Sequence, residues 1–405
     1  MFGGMLGVVS LSALASISLL AQPMPEAQLS AKPRCFFAVQ LADPQLGIKN
    51  AFSPLPNVAL DWSRELAMLN LAIEHVNRLA PRFVILSGDM QNWTPAHDGA
   101  AASNGVLSAG YGDVGARQAA SVRRALDALE PPVLSVTPGN HDLGDAPDAS
   151  SVGAFRVRWG ADRASFVLGA TRRADGAHGG VHFLSVDSLL AMNATAPGMR
   201  AERDAQLTWL RTRLAAADDT RASGVVLLTH ICPFVGAADE PAGWANWPLA
   251  EREEVLRMAL SREGVRPRLV ICGHFHGNVV SSSAAFGAPF DAVTTSAVGC
   301  TIAWNGVMSG THTPTDASEI ASAPTGARAF ADYVLRDHAR GPVDPRRADE
   351  RVRCAPNVTG VRLFEFCAER GFRHKWFTLD ELASVPRLTP AGGAQAFGDA
   401  PFTRF

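Results

Sequence analysis

Side chains able to bind metal recur in this sequence at the ends of short apolar runs. Val136-Thr-Pro-Gly-Asn-His-Asp142 offers an amide oxygen at Asn140, an imidazole at His141 and a carboxylate at Asp142, just after a strand-like run that Pro138 and Gly139 break. Asp43 and Gln45 follow the run Cys35 to Leu41, and Asp89 follows Phe83 to Leu86. His230 follows Val225 to Leu228, and His274 and His276 follow Leu269 to Cys272. His274 and His276 stand at i and i+2, so both can turn into one site while Phe275 packs away from it. A mixed set of carboxylates, amide oxygens and imidazoles is too large for one tetrahedral ion and suits two ions sharing a carboxylate. Two such ions about 3.5 to 4 Å apart can clamp a phosphate during in-line displacement.

Strands alternating with helices would bring these residues together. Amphipathic spacing predicts helices over Asp61 to Val76 (with Asp61 as N-cap), Arg117 to Leu129, Glu202 to Ala216 and Glu251 to Leu260. Gly360 to Phe366 and Phe372 to Phe377 read as a hairpin. In an open α/β sheet the tips of successive parallel strands share one edge, where ligands bind.

The chain has 405 residues, 47% of them hydrophobic, so a large core is within reach. A net charge of -2 gives no basic surface for nucleic acid, which argues against a nuclease. Residues 1–30 carry an apolar Ser/Ala-rich stretch without Lys or Arg at its start and are expected to be a signal peptide or signal anchor. That placement implies the secretory pathway or a membrane-anchored protein, with the cytoplasm as the alternative. Residues 31–302 form the first part of one domain, 303–357 a low-complexity insertion, 358–384 its C-terminal strands and 385–405 a loose tail. Residues 92–115 read as a lid or specificity loop. The six cysteines show no C-x-x-C spacing; Cys35, Cys272 and Cys367 lie in strand-like runs as small buried hydrophobes, with pairing open if the chain is secreted.

The ordered blocks Asp43-Pro-Gln45, Gly88-Asp89, Gly139-Asn-His-Asp142, His230 and Gly273-His-Phe-His276 resemble the calcineurin-like metallophosphoesterases. Ala42-Asp-Pro-Gln45, Ser296-Ala-Val-Gly-Cys300 and Trp376-Phe-Thr-Leu-Asp-Glu-Leu382 resemble the branch of calcineurin-like phosphoesterase domain-containing proteins, associated with protein serine/threonine phosphatase activity. The resemblance implies a four-layer αββα sandwich, an α/β fold with its metal site at the strand ends. It implies a first divalent ion on Asp43, Gln45 and His276, a second on Asn140, His230 and His274, and Asp89 bridging them. The ions would be Mn, Fe, Mg or Zn, with Mn or Mg favoured at the Gln45 site. His141 would be the general acid, a task suited to imidazole. The expected activity is a dinuclear metal-dependent phosphomonoesterase, a protein serine/threonine phosphatase whose partner is a phosphorylated substrate such as a phosphoprotein. The alternatives are a phosphodiesterase acting on a small diester and a catalytically weak metal-holding scaffold. Asn92 and Trp93 stand where protein phosphatases proper carry an Asp that orients the catalytic His and an Arg that grips phosphate, leaving Asp142 as the candidate to orient His141.

Overall fold

The computed structural model describes residues 35–51, 61–92, 114–172, 178–219, 222–260, 267–283, 290–304, 307–308, 352–367, 370–389, 396–398 and 400–403. The leader, most of the expected lid (93–113) and most of the insertion (309–351) lie outside the described residues. Among the described residues no helix is long and apolar enough to cross a membrane.

Alternation along the strands dictates the layering. In β1 (Cys35–Leu41) Phe36 and Ala38 enter one core, while Phe37, Val39 and Leu41 enter another. In β2 (Phe83–Leu86) Phe83 and Ile85 part from Val84 and Leu86 in the same way, and in β6 (Gly224–Leu228) Val226 and Leu228 part from Val225 and Leu227. Strands apolar on both faces need cover on both sides. One side is the facing sheet: Phe36, Phe83, Phe183, Phe364 and Phe366 fill the space between the two sheets, with Phe183 and Phe366 edge to face at 5.0 Å. The other side is helical. Helices Ser63–Leu79 and Val114–Leu126 bring Leu69, Val76 and Val122, and helices Met199–Asp219 and Leu249–Leu260 bring Leu207, Leu210, Leu214 and Val255. The outcome is the expected four-layer αββα sandwich.

The first sheet has the order β14-β13-β1-β2-β3, with β3 at Val133–Val136, β13 at Gly360–Cys367 and β14 at Gly371–Thr378. The second runs β4-β5-β6-β7-β9-β8, from β4 (Ala164–Arg172) and β5 (His178–Ser185) to β7 (Pro267–Cys272), β8 (Val279–Ser283) and β9 (Phe290–Thr294). Strands β1, β2 and β3 are parallel, as are β5, β6, β7 and β9, so their carboxyl ends share an edge in each sheet.

Several local expectations are corrected. Asp61 is not the N-cap: the helix starts at Ser63, and Asp61 Oδ1 accepts the Ser63 N–H (2.9 Å) from one residue further out. The tail is docked rather than loose where it is described. Phe397 stacks on Phe37, Leu388 N–H donates to Leu79 O (2.9 Å), and Thr403 pairs with Phe372. The insertion's ends belong to the fold, because β10 (Thr301–Trp304) pairs with both β11 (Val307–Met308) and β12 (Val352–Arg353). The cysteines are not isolated hydrophobes: Cys35–Cys367, Cys232–Cys272 and Cys300–Cys354 are disulfides.

Candidate metal centre

Every strand tip singled out in the sequence arrives at one place. Gln45 N–H donates to Asp89 O (2.8 Å), joining the loops after β1 and β2, and the His274 N–H donates to the Asp43 carboxylate (3.0 Å), joining the tips of β1 and β7 across the two sheets. His230 Nε2 lies 3.3 Å from Asp89 Oδ2 and 3.3 Å from Asn140 Oδ1, while His276 Nε2 lies 3.9 Å from Asp43 Oδ1. Asp89, His230 and His274 present ligand atoms within 4.8 Å of one another. Asp43, Gln45, Asp89, His230, His274 and His276 are buried, whereas Asn140 and His141 are half-buried and form the open side.

The close approach has a backbone cause. Asp43, Gln45, Asp89, His274 and His276 all have positive φ, between 34° and 66°. Such conformations are uncommon outside glycine, are most tolerable for Asp, Asn and His, and persist where the surroundings enforce them. Glycines make the necessary room: a Cβ on Gly139 would fall 2.0 Å from Asp89 Oδ1, and one on Gly273 would fall 2.5 Å from Asp43 Oδ2.

A second layer sets the aim of each donor. His230 Nδ1 donates to Ser87 O (2.6 Å), His274 Nε2 to Trp244 O (2.7 Å) and His276 Nδ1 to Cys300 O (3.0 Å). Carbonyls only accept, so those nitrogens carry a proton and the opposite nitrogen of each ring is the one that can offer a lone pair to a metal ion. The amides are fixed likewise. Asn140 Nδ2 donates to Asp145 Oδ1 (3.1 Å), and Gln45 Nε2 donates to Asn92 Oδ1 (3.2 Å), which leaves each amide oxygen toward the site. Gln45 Oε1 is buried without a hydrogen-bond partner, a costly state for an oxygen unless a cation binds it.

The electrostatics also call for cations. Burial, increased by repulsion from Asp89 and offset in part by His230, holds Asp43 well above the usual carboxylate range. Burial and the charge of Asp89 push Asp142 up to about 7. Burial works against charge on Asp89 as well, but His230 and His141 outweigh it and keep Asp89 low. Burial opposes charge on His230 too, yet Asp89 pushes it up to about 9. Burial, then His230, lowers His274 to about 3, and burial lowers His276 to about 4, so both are neutral imidazoles ready to ligate. Orphaned Gln45 Oε1, neutral imidazoles and crowded carboxylates together fit divalent ions.

His141 is built differently. Its backbone N–H donates to Asp89 Oδ1 (2.9 Å), and its Nδ1 donates to Asn92 O (2.6 Å), leaving Nε2 unclaimed by these contacts. Asp142 does not orient it: Asp142 Oδ1 accepts the Met90 N–H (3.1 Å) and Oδ2 the Gly139 N–H (3.0 Å), which ties the β2 loop to the turn after β3. The residues missed by sequence reasoning are those that act through backbone carbonyls: Ser87, Asn92, Trp244 and Cys300. A carbonyl leaves no residue signature; only Trp244, whose ring also lies 5.1 Å from that of His274, has a conspicuous side chain.

No family model matches the chain. It is similar to serine/threonine-protein phosphatase CPPED1 of Rattus norvegicus, 29% identical over 275 residues that span 65% of this chain and 76% of that protein. The Homo sapiens protein of the same name is 27% identical over 270 residues, again 65% and 76%. Among solved structures, a dimetal phosphatase from Danio rerio is 15% identical with a TM-score of 0.45, covering 65% of this chain and 88% of that one. The similarity first carried by five short motif blocks thus extends over 65% of the chain, which is similar in sequence to proteins named as serine/threonine-protein phosphatases.

Proposed function

We propose that this protein is a dinuclear metal-dependent phosphomonoesterase that removes phosphate from phosphoserine or phosphothreonine in proteins. The observation that supports it most is the convergence of Asp43, Gln45, Asp89, Asn140, His230, His274 and His276 beside a half-buried imidazole, His141, that faces the open side. Asp43, Gln45 and His276 would hold one ion and Asn140, His230 and His274 the other, with Asp89 shared. When bound, such ions neutralise charge on the phosphoryl oxygens and make water acidic enough to attack phosphorus. His141 supplies the proton for departure. As the P–O bond to the substrate oxygen breaks, the proton on His141 Nε2 moves to that oxygen, and the neutral ring that remains keeps its Nδ1–H on Asn92 O. Burial of the ligands excludes bulk water and leaves approach to the His141 and Asn140 side.

The test is turnover by metal-depleted protein reloaded with Mn²⁺, comparing a phosphoserine peptide with an aryl phosphodiester. Faster turnover of the peptide is expected. Preference for the diester would make the protein a phosphodiesterase, and no turnover of either would leave a metal-holding scaffold.

Metal preference should follow Gln45. An amide oxygen is a harder donor than imidazole, so the first site favours Mn²⁺ or Mg²⁺ relative to a histidine site, and its ion exchanges more readily than that on His230 and His274. Gln45→His is expected to tighten that site and move its preference toward Zn²⁺ or Fe. Calorimetric titration of both metal-free proteins checks this; identical affinities and order of preference would remove Gln45 from the ligand set.

A further inference from the structure

Beneath the metal centre, between the two sheets, lies a guanidinium that the chemistry above does not use. Arg362 on β13 is 2% exposed. Its Nε donates to Thr295 Oγ1 (2.9 Å), Nη1 to His374 Nδ1 (3.0 Å), and Nη2 to Asn278 Oδ1 (2.9 Å) and Thr294 O (3.4 Å). These partners are a hydroxyl, a ring nitrogen, an amide oxygen and a carbonyl, with no carboxylate among them. Burying a cation without a counter-charge is costly, and burial alone lowers Arg362 to about 9. A fold keeps such a group where its fixed fork of donors holds other groups in place.

What the fork holds is connected to the ligands. Asn278 Oδ1 also accepts the Ser296 N–H (3.1 Å), and Ser296 Oγ donates to His276 O (3.0 Å). Thr295 Oγ1 donates to Gln40 Oε1 (2.6 Å), while Gln40 Nε2 donates to Ser87 Oγ (2.7 Å) and Cys272 O (2.8 Å). Ser87 in turn receives His230 through its carbonyl, and Cys272 precedes the Gly273-His274 turn. One side chain therefore reaches, through at most three further residues, the backbone that carries or aims His230, His274 and His276.

We propose that Arg362 is a positioning residue: its guanidinium, through Asn278, Thr295 and Gln40, fixes the β2, β7 and His276 loops so that the three imidazoles keep their aim at the metals. The proposal rests on the metal reading above for what is positioned.

The test uses the full chain, metal-depleted, as wild type, Arg362→Lys, Arg362→Met and Thr295→Val. Thr295→Val cuts the network at its middle with an isosteric side chain and serves if the arginine variants fail to fold. Leu363→Ala is the control; Leu363 is the next residue on β13 and is buried in the other core, against the helices. Mn²⁺ binding is followed by calorimetry, with thermal unfolding of the same samples. Arg362→Lys and Arg362→Met are expected to weaken Mn²⁺ binding by about 10- to 100-fold, the range for removing groups that orient ligands, and Thr295→Val to weaken it by less. Leu363→Ala should lower the melting temperature without changing affinity. In turnover assays excess Mn²⁺ should restore kcat to Arg362→Lys with KM for substrate little changed. If the arginine variants and Thr295→Val bind Mn²⁺ like wild type, or Leu363→Ala loses as much affinity at equal loss of melting temperature, the proposal is overturned. Wild type that binds no Mn²⁺ would instead overturn the metal reading itself.

Discussion

His141→Ala is expected to cost about 100- to 10,000-fold in turnover of an alkyl phosphomonoester, the usual contribution of a general acid, with metal content and melting temperature unchanged. The separation is possible because the backbone and side chain of His141 have different duties. Its N–H holds Asp89 Oδ1 and survives the substitution, while the ring, anchored on Asn92 O, is the part removed. Leaving-group chemistry sharpens the check. A serine alkoxide needs a proton to depart, whereas p-nitrophenolate leaves well without one, so the loss should be much smaller on p-nitrophenyl phosphate. Metal analysis of the variant alongside kcat on both substrates reads the result. An equal loss on both, or a loss of metal, would mean that His141 acts as a ligand or prop rather than as the acid.

Why this much of the site was legible is plain from the proposed ligands themselves. Asp43, Asp89, His230 and His274 each stand within three residues of the end of an apolar strand, and a side chain at a strand tip has its place set by the sheet, not by a distant partner. The layers were legible for the same reason, since Phe36 and Phe37 must part to opposite faces whatever else the chain does. What sequence hid was of another kind. Asn92 serves His141 with its carbonyl, which every residue possesses, whereas the carboxylate of Asp142 is the group that the sequence displays. Arg362 meets Thr295, 67 positions away, and Gln40 meets Thr295, 255 positions away, contacts that only the assembled sheets bring about. Strand β8, Val279–Ser283, ends in three serines and looks like a loop; its edge position, next to β9 at the end of the sheet order among the described residues, explains why polar residues suffice there.

Removing the Cys232–Cys272 disulfide by the double change Cys232→Ser, Cys272→Ser should destabilise the protein by about 4 kcal/mol on a chain-entropy estimate for the 40-residue separation. Six cysteines allow 15 pairings, so this bond was not readable in the sequence, yet its location gives it a second consequence. Cys232 lies two residues after His230 and Cys272 two residues before His274, so the bond ties the tips of β6 and β7 together beside two proposed ligands of one ion. Cys35–Cys367 is the natural comparator. It joins the beginning of β1 to the end of β13, a full strand length from Asp43, and should affect stability without touching the site. Disulfides form in oxidising surroundings, so all proteins in the comparison should be folded oxidatively before metal is removed. Both double variants are then expected to unfold at lower urea concentration, but only Cys232→Ser, Cys272→Ser should bind Mn²⁺ more weakly per folded molecule. Equal affinity in the two variants would show that the ring N–H bonds donated to Ser87 O and Trp244 O suffice to aim His230 and His274, and that the disulfide stabilises the sheet alone.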